Sequence, residues 1–123
     1  MPFAGRERTS NPFEPSDRPL SVAELNTRVK RLLEREYPDV WVEGAVSRPT
    51  MAASGHFYFG LQDETARVDG VMWAARARAL TFRPTEGMQV RVRGQVTLYP
   101  PGGRYQLVVT HLGCDHVLRH VSQ

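Results

Sequence analysis

The apolar positions of this chain change period near residue 40, and that change divides it. Val22, Leu25, Val29, Leu32 and Leu33 recur at spacings of three and four, which places them on one face of a helix. Ser21 and Glu24 form an S-x-x-E capping box, with Leu20 and Leu25 at the positions of a hydrophobic staple. Tyr37-Pro38 ends the segment, because the residue before a proline is pushed out of the helical region. The pattern predicts a helix over about 20–37 whose apolar stripe packs on the outside or one end of the strand-rich remainder of the chain.

From Val40 the period is two. Val40, Val42, Gly44 and Val46 alternate with Trp41, Glu43, Ala45 and Ser47, a first strand in which Gly44 marks a bulge or a sharp bend. After the loop RPTMAAS, Phe57, Phe59 and Leu61 alternate with His56, Tyr58, Gly60 and Gln62 in a second strand. Asp63 to Ala66 is a turn, and Arg67 to Trp73 a third strand. The run AARARAL favours one or two helical turns over a pleat. Gln89 to Tyr99 alternates again, PPGGR reads as a hairpin loop, and Tyr105 to Leu112 is a fifth strand in which Leu107-Val108-Val109 leaves the facing open. Five short strands with a helix between the third and fourth is the order of the five-stranded Greek-key barrel, the OB-fold. The expected class is therefore all-β dominated, a barrel preceded by a helix. That fold binds oligonucleotides or oligosaccharides on the face of strands two and three and in the loops joining strands one to two and four to five.

The chain of 123 residues suits one domain, over 20–112. Residues 1–19 carry Pro2, Pro12, Pro15 and Pro19 without apolar periodicity, and are expected to be a disordered arm. Residues 113–123 read as a flexible tail. No apolar run approaches a membrane span, and the first residues lack the apolar stretch of a secretory signal, so a cytoplasmic location is expected. The lone Cys114 has no internal disulfide partner.

Sixteen basic residues face thirteen acidic ones, and Lys30 is the only lysine. An arginine-biased surface suits a phosphate-bearing partner, while the arginine codons of a GC-rich genome explain the same composition. Position separates the two readings. If Phe57, Phe59 and Leu61 fill the barrel, parity puts His56 and Tyr58 outside, with Trp73 ending the neighbouring strand. Single-strand binders combine such ring faces with a basic groove. Arg48 in the first loop and Arg104 in the hairpin loop flank that face, Arg67 opens the third strand, and Arg91 and Arg93 share a strand face with Tyr99, as though lining one side of a cleft. The bland alternatives are aromatics packed beneath the leading helix, arginines that solvate an outward face, and a Tyr99–Tyr105 cross-strand pair that only fixes register.

Catalytic patterns are missing. Glu43, Asp63, Glu64, Asp69 and Glu86 are scattered, and no glycine-rich phosphate loop precedes a helix. His111, Cys114, Asp115, His116 and His120 crowd the C-terminal end, but their spacing matches no well-defined zinc pattern. Neither metal nor cofactor is expected.

The strings SVAELNTRVKRLLEREYPDVWVEGAVSRP, SGHFYFGLQDETARVDGVMW and EGMQVRVRGQVTLYPPGGRYQLVV, in that order, closely resemble the N-terminal nucleic-acid-binding domain of the exodeoxyribonuclease VII large-subunit family, from about Leu20 to Leu112. The resemblance implies an OB-fold that holds single-stranded DNA for a nuclease domain C-terminal to it, with small subunits assembling on the large one. The chain departs from that family at Ala45 and Ser47-Arg48, where glutamate and later Ser-Asn are usual. It departs again at Gln62 (usually lysine), Gly70 (cysteine) and Trp73 (phenylalanine). After Leu112 only GCDHVLRHVSQ remains, so no hydrolysis is expected from this chain alone and no docking segment for a small subunit is expected in it. An RNA-binding OB domain and a protein-assembly module are the competing functions.

Overall fold

The structure, a computed structural model, describes residues 18–114. Most of the expected N-terminal arm and all but two residues of the expected tail lie outside them. α1 (Val22–Glu36) starts as its sequence dictates: the Glu24 N–H donates to Ser21 Oγ at 3.0 Å and the Ser21 N–H donates to Glu24 Oε1 at 2.8 Å. The Arg18 guanidinium, and after it the Ser21 N–H, draw the Glu24 carboxyl down to about 2. At the other end the Tyr37 N–H donates to the Leu33 carbonyl, and the chain turns at Pro38.

Five strands come next: β1 (Val40–Met51), β2 (Phe57–Gln62), β3 (Arg67–Met72), β4 (Gln89–Tyr99) and β5 (Arg104–Cys114), with the one-turn α2 (Ala74–Ala77) after β3. They close into a barrel in the order β1-β2-β3-β5-β4. Every neighbouring pair is antiparallel except β3 with β5. β1 serves two partners, pairing with β4 over Val40–Ala45 and with β2 over Ala45–Met51. Gly44 lies at that exchange, where a Cβ would sit 2.8 Å from the Gln62 carbonyl oxygen. Its cause is close approach, and the register shift is further on, between Ser47 and Thr50. β1 therefore continues through the segment expected to be loop, and Arg48 belongs to the strand.

Alternation builds the core. Val46, Phe57, Phe59, Leu61, Val90 and Val92 point inward, and the Phe57 and Phe59 rings stack with centroids 5.2 Å apart. In β5 the open facing resolves as Leu107 and Val109 inward; a second irregularity, opposite Arg93 and Gly94, then lets Leu112 and Cys114 also face in. The fifth strand thus ends two residues later than the periodicity indicates, taking Gly113 and Cys114 out of the expected tail.

α1 packs on β4. Asn26 Nδ2 donates to the Pro100 carbonyl at 2.8 Å, the Val96 N–H donates to the Tyr37 carbonyl at 3.0 Å, and the buried Thr97 hydroxyl donates to Glu34 Oε2 at 2.6 Å. Lys30 first and Thr97 second hold the Glu34 carboxyl below the usual carboxylate range. The stripe expected on α1 is only partly covered: Val29 and Leu33 are half-buried, whereas Val22 is 75% exposed. These polar ties and the half-buried Val29 and Leu33 together attach the helix.

Core and helix stripe should therefore respond differently to truncation. Phe57→Ala is expected to cost about 3–5 kcal/mol, a large part of the roughly 5–15 kcal/mol stability of such a domain. Val22→Ala should stay within about 0.5 kcal/mol. Urea unfolding of both variants measures the difference; equal losses would contradict the assignment of the core to the barrel interior.

Candidate nucleic-acid interface

Because Phe57, Phe59 and Leu61 face in, Tyr58, Gly60 and Gln62 face out. The register places Val71 opposite Tyr58, Asp69 opposite Gly60 and Arg67 opposite Gln62, so Arg67, Asp69 and Val71 of β3 share that outer face. Across the parallel seam, Gln106 and Val108 of β5 stand beside Asp69 and Val71 and extend it. The Arg67 side chain lies along the sheet: Nη1 donates to Ser47 Oγ at 3.0 Å, and a Cβ on Gly60 would fall 2.6 Å from Nη2. Gly60 is glycine because a guanidinium occupies the space above it. Arg104 donates from Nη2 to Asp69 Oδ2 at 2.8 Å while remaining largely exposed, so its other donors face solvent. Arg48, Tyr58, Arg67 and Gln106 line a shallow groove of about 220 Å³ on this face.

Three aromatic side chains meet at the end of β2 and β3. His56 Nδ1 accepts the Ala74 N–H at 2.9 Å, so in the neutral ring the proton is on Nε2. Its ring stands edge-to-face with Trp73, centroids 5.0 Å apart, and with Tyr58 at 6.4 Å. Tyr58 remains 41% exposed and Trp73 43% exposed. Because α1 lies on β4, the aromatics are not sealed beneath it, and the packed-aromatic alternative falls away. Trp73 itself belongs to the N-cap of α2 and not to β3.

Of the expected cleft of Arg91, Arg93, Tyr99 and Arg104, only Tyr99 and Arg104 stand together. Arg91 and Arg93 stand opposite Glu43 and Trp41 on the part of the barrel where β1 meets β4. Arg91 Nε reaches Glu43 Oε2 at 3.3 Å. Arg93 grips Asp39 with two bonds of 2.8 and 2.6 Å and sits 5.5 Å from the Trp41 ring centroid. That guanidinium holds the Asp39 carboxyl below its ordinary range. Both arginines line a separate groove of about 420 Å³ with Arg76, Phe82 and His111. Strand parity is shared along β4, but a closed, coiled barrel carries the two halves of one strand to different partners. Arg104 is the first residue of β5, not a loop residue, and faces Tyr99 directly; Tyr105 faces Leu98, so the two tyrosines are not a cross-strand pair. The Tyr99 ring lies against Gly102 of the hairpin.

Sequence reasoning passed over Trp41, Ser47 and Glu86. The outward parity of Trp41, which is 65% exposed, was available as a signal. The contact of Glu86 with the Arg48 backbone spans 38 residues and leaves no local trace. Four of the scattered carboxylates have structural partners: Glu43 with Arg91, Asp69 with Arg104, Glu86 with the Arg48 N–H, and Asp63 with the N–H groups of Thr65 and Ala66 in its own turn. Among the described residues no group of three or more His, Cys, Asp or Glu is placed to hold a metal ion. Asp115, His116 and His120 lie outside those residues, and Cys114 is buried at the end of β5.

The exodeoxyribonuclease 7 large subunit of Geobacter metallireducens is 47% identical to the chain over 98 residues, 80% of this chain and 22% of that protein. The large subunit of Thioalkalivibrio sulfidiphilus is 48% identical over 92 residues, 75% and 21% respectively. The chain thus spans about a fifth of the length of the curated relatives it matches. Among solved structures, an asparaginyl-tRNA synthetase from Pyrococcus horikoshii is 21% identical, covering 72% of this chain and 22% of that one with a TM-score of 0.53. A replication protein A heterotrimer bound to ssDNA is 15% identical, covering 68% and 66% with a TM-score of 0.51; both share the fold. The family described as OB-fold nucleic acid binding domain matches residues 20–113, most of the described barrel and its leading helix, and the chain belongs to that family.

Proposed function

We propose that this domain holds single-stranded DNA along the outer face of β2, β3 and β5, presenting it to a nuclease that is not within residues 18–114. The observation that carries the reading is the meeting of half-exposed Tyr58 and Trp73 with Arg48, Arg67 and Arg104 on one surface. A ring face takes any base and a guanidinium takes any phosphate, which suits a strand held without sequence preference. Duplex bases, stacked on one another, offer no face to Tyr58 or Trp73. DNA is preferred to RNA because the relatives at 47% and 48% identity are named as exodeoxyribonuclease subunits. Arg91 and Arg93, each engaged with a carboxylate on the far side of β4, fall outside the path. Assembly with a small subunit and a cytoplasmic location fit the same reading; among the described residues no helix is long and apolar enough to cross a membrane.

Fluorescence anisotropy of a labelled thymidine oligomer tests the reading. Trp73→Ala and Tyr58→Ala should each weaken binding by about 5- to 150-fold, the range of a lost base stack of about 1–3 kcal/mol. Parental affinity in both would remove the stacking surface. A matched ribonucleotide oligomer that bound more tightly than the thymidine oligomer would turn the assignment to RNA.

Salt reports the phosphate contacts. Arg104→Ala should flatten the log–log dependence of affinity on salt by about 0.7, the contribution of one phosphate on a single strand. An unchanged slope would place Arg104 off the path.

A further inference from the structure

Arg48 has a backbone that arginine rarely adopts. Its φ is +52°, and it is the only residue other than glycine in that region among those described. It sits in a bulge of β1, where Ser47 opposes Gly60 and Thr50 opposes Tyr58, so that Arg48 and Pro49 together face Phe59. In bulges of this kind the left-handed first position is ordinarily glycine. Plain alternation gives the reason for the bulge: Val46 faces in, Ser47 faces out, and the next residue would turn inward beside Phe59. The bulge instead leaves Arg48 exposed at the rim of the groove with Tyr58 and Arg67.

This backbone is held from outside the sheet. The Arg48 N–H donates to Glu86 Oε1 at 2.8 Å, and the Thr50 hydroxyl donates to the Arg48 carbonyl at 3.2 Å. The chain just beyond Glu86 is tied to β1 in turn: the Gly87 N–H donates to the Val46 carbonyl at 2.7 Å, and the Val46 N–H donates to the Met88 carbonyl at 2.9 Å. A carboxylate that accepts from a backbone N–H is among the stronger neutral-to-charged contacts available to fix a strained residue.

We infer that Glu86 is a positioning residue: its carboxylate holds Arg48 in the left-handed conformation that turns the guanidinium out of the barrel and towards a phosphate of the bound strand. The inference rests on the binding face proposed above and adds to it an acidic residue that aids the binding of a polyanion. A carboxylate merely placed at the rim would act in the opposite sense, repelling the strand, and the sign of the mutational effect separates the two roles.

The test is anisotropy with a labelled thymidine oligomer over a salt series, for the parent chain, Glu86→Ala, Glu86→Gln, Arg48→Ala, Arg48→Gly and the double variant Glu86→Ala/Arg48→Ala. Glu86→Ala and Arg48→Ala are each expected to weaken binding several-fold and to flatten the salt slope by about 0.7. Glu86→Gln keeps an oxygen acceptor and should bind at least as well as the parent. The double variant should be no weaker than Arg48→Ala alone, the signature of two residues acting through one contact. Arg48→Gly suits the positive φ, so it should melt no lower than the parent and yet lose the affinity that Arg48→Ala loses. A parent that binds with the expected salt slope, beside a Glu86→Ala variant that binds equally or more tightly, overturns the positioning role and leaves the binding face standing. Should Glu86→Ala not fold, Arg48→Gly decides, and parental affinity in that variant overturns the inference. A parent chain that does not bind the oligomer removes the binding face and this role with it.

Discussion

The barrel closes along a seam of three residue pairs, and the rest of the structure depends on that closure. Asp69, Gly70 and Val71 of β3 run parallel to Gln106, Leu107 and Val108 of β5. Without this seam the sheet would have two free edges, and no side of it would be enclosed. With it, parity assigns residues inside or outside except at the two register shifts, one in β1 between Ser47 and Thr50 and one opposite Arg93 and Gly94. The seam is tight on its inner side, where a Cβ on Gly70 would lie 2.9 Å from the Phe59 ring. Its outer side is part of the candidate binding face. Asp69 anchors Arg104 there, so the element that completes the fold also carries part of the proposed binding face.

Charge on the barrel is divided more than its total shows. A net charge of +3 is modest for a partner of a polyanion. On the β1–β4 side, Arg91 and Arg93 are engaged with Glu43 and Asp39, which reduces the field they can offer. On the β2–β3–β5 side, Arg67 bonds to the neutral Ser47 hydroxyl and the backbone of Arg48 is the part that meets a carboxylate, so their guanidinium charges are not spent on these contacts. Arg104 is tied to Asp69 yet remains mostly in solvent, where an ion pair is weak and exchanges readily for phosphate. Similar arginines thus differ in availability because of what each faces across the sheet.

Local chemistry was legible and long-range chemistry was not. The capping box at Ser21 and Glu24, the alternation of Phe57, Phe59 and Leu61, and the strand order that implies this barrel all depend on residues a few positions apart. The outward facing of His56 and Tyr58, with Trp73 ending the neighbouring strand, follows from that alternation, and the structure brings the three rings into contact. The grouping of Arg91 and Arg93 with Tyr99 failed because parity says which side of a strand a residue occupies, not which neighbour the barrel's coiling brings beside it. Arg-Pro breaks the alternation, which gives Arg48 the sequence signature of a loop residue. The break is real, but it is a bulge within a longer strand, held by a glutamate whose role no local pattern announces. The glycine expected to bend β1 is explained by crowding against Gln62 instead.

On the proposed reading a single strand lies across β2, β3 and β5 and nowhere else on the barrel. Backbone amide NMR during titration with a thymidine oligomer tests it most directly. The shifts expected to move are those of residues 47–49, 56–60, 67–73 and 104–108, while those of Trp41, Glu43, Arg91 and Arg93 stay in place. Movement centred on Trp41 and Arg93, with Tyr58 and Trp73 unmoved, would contradict it.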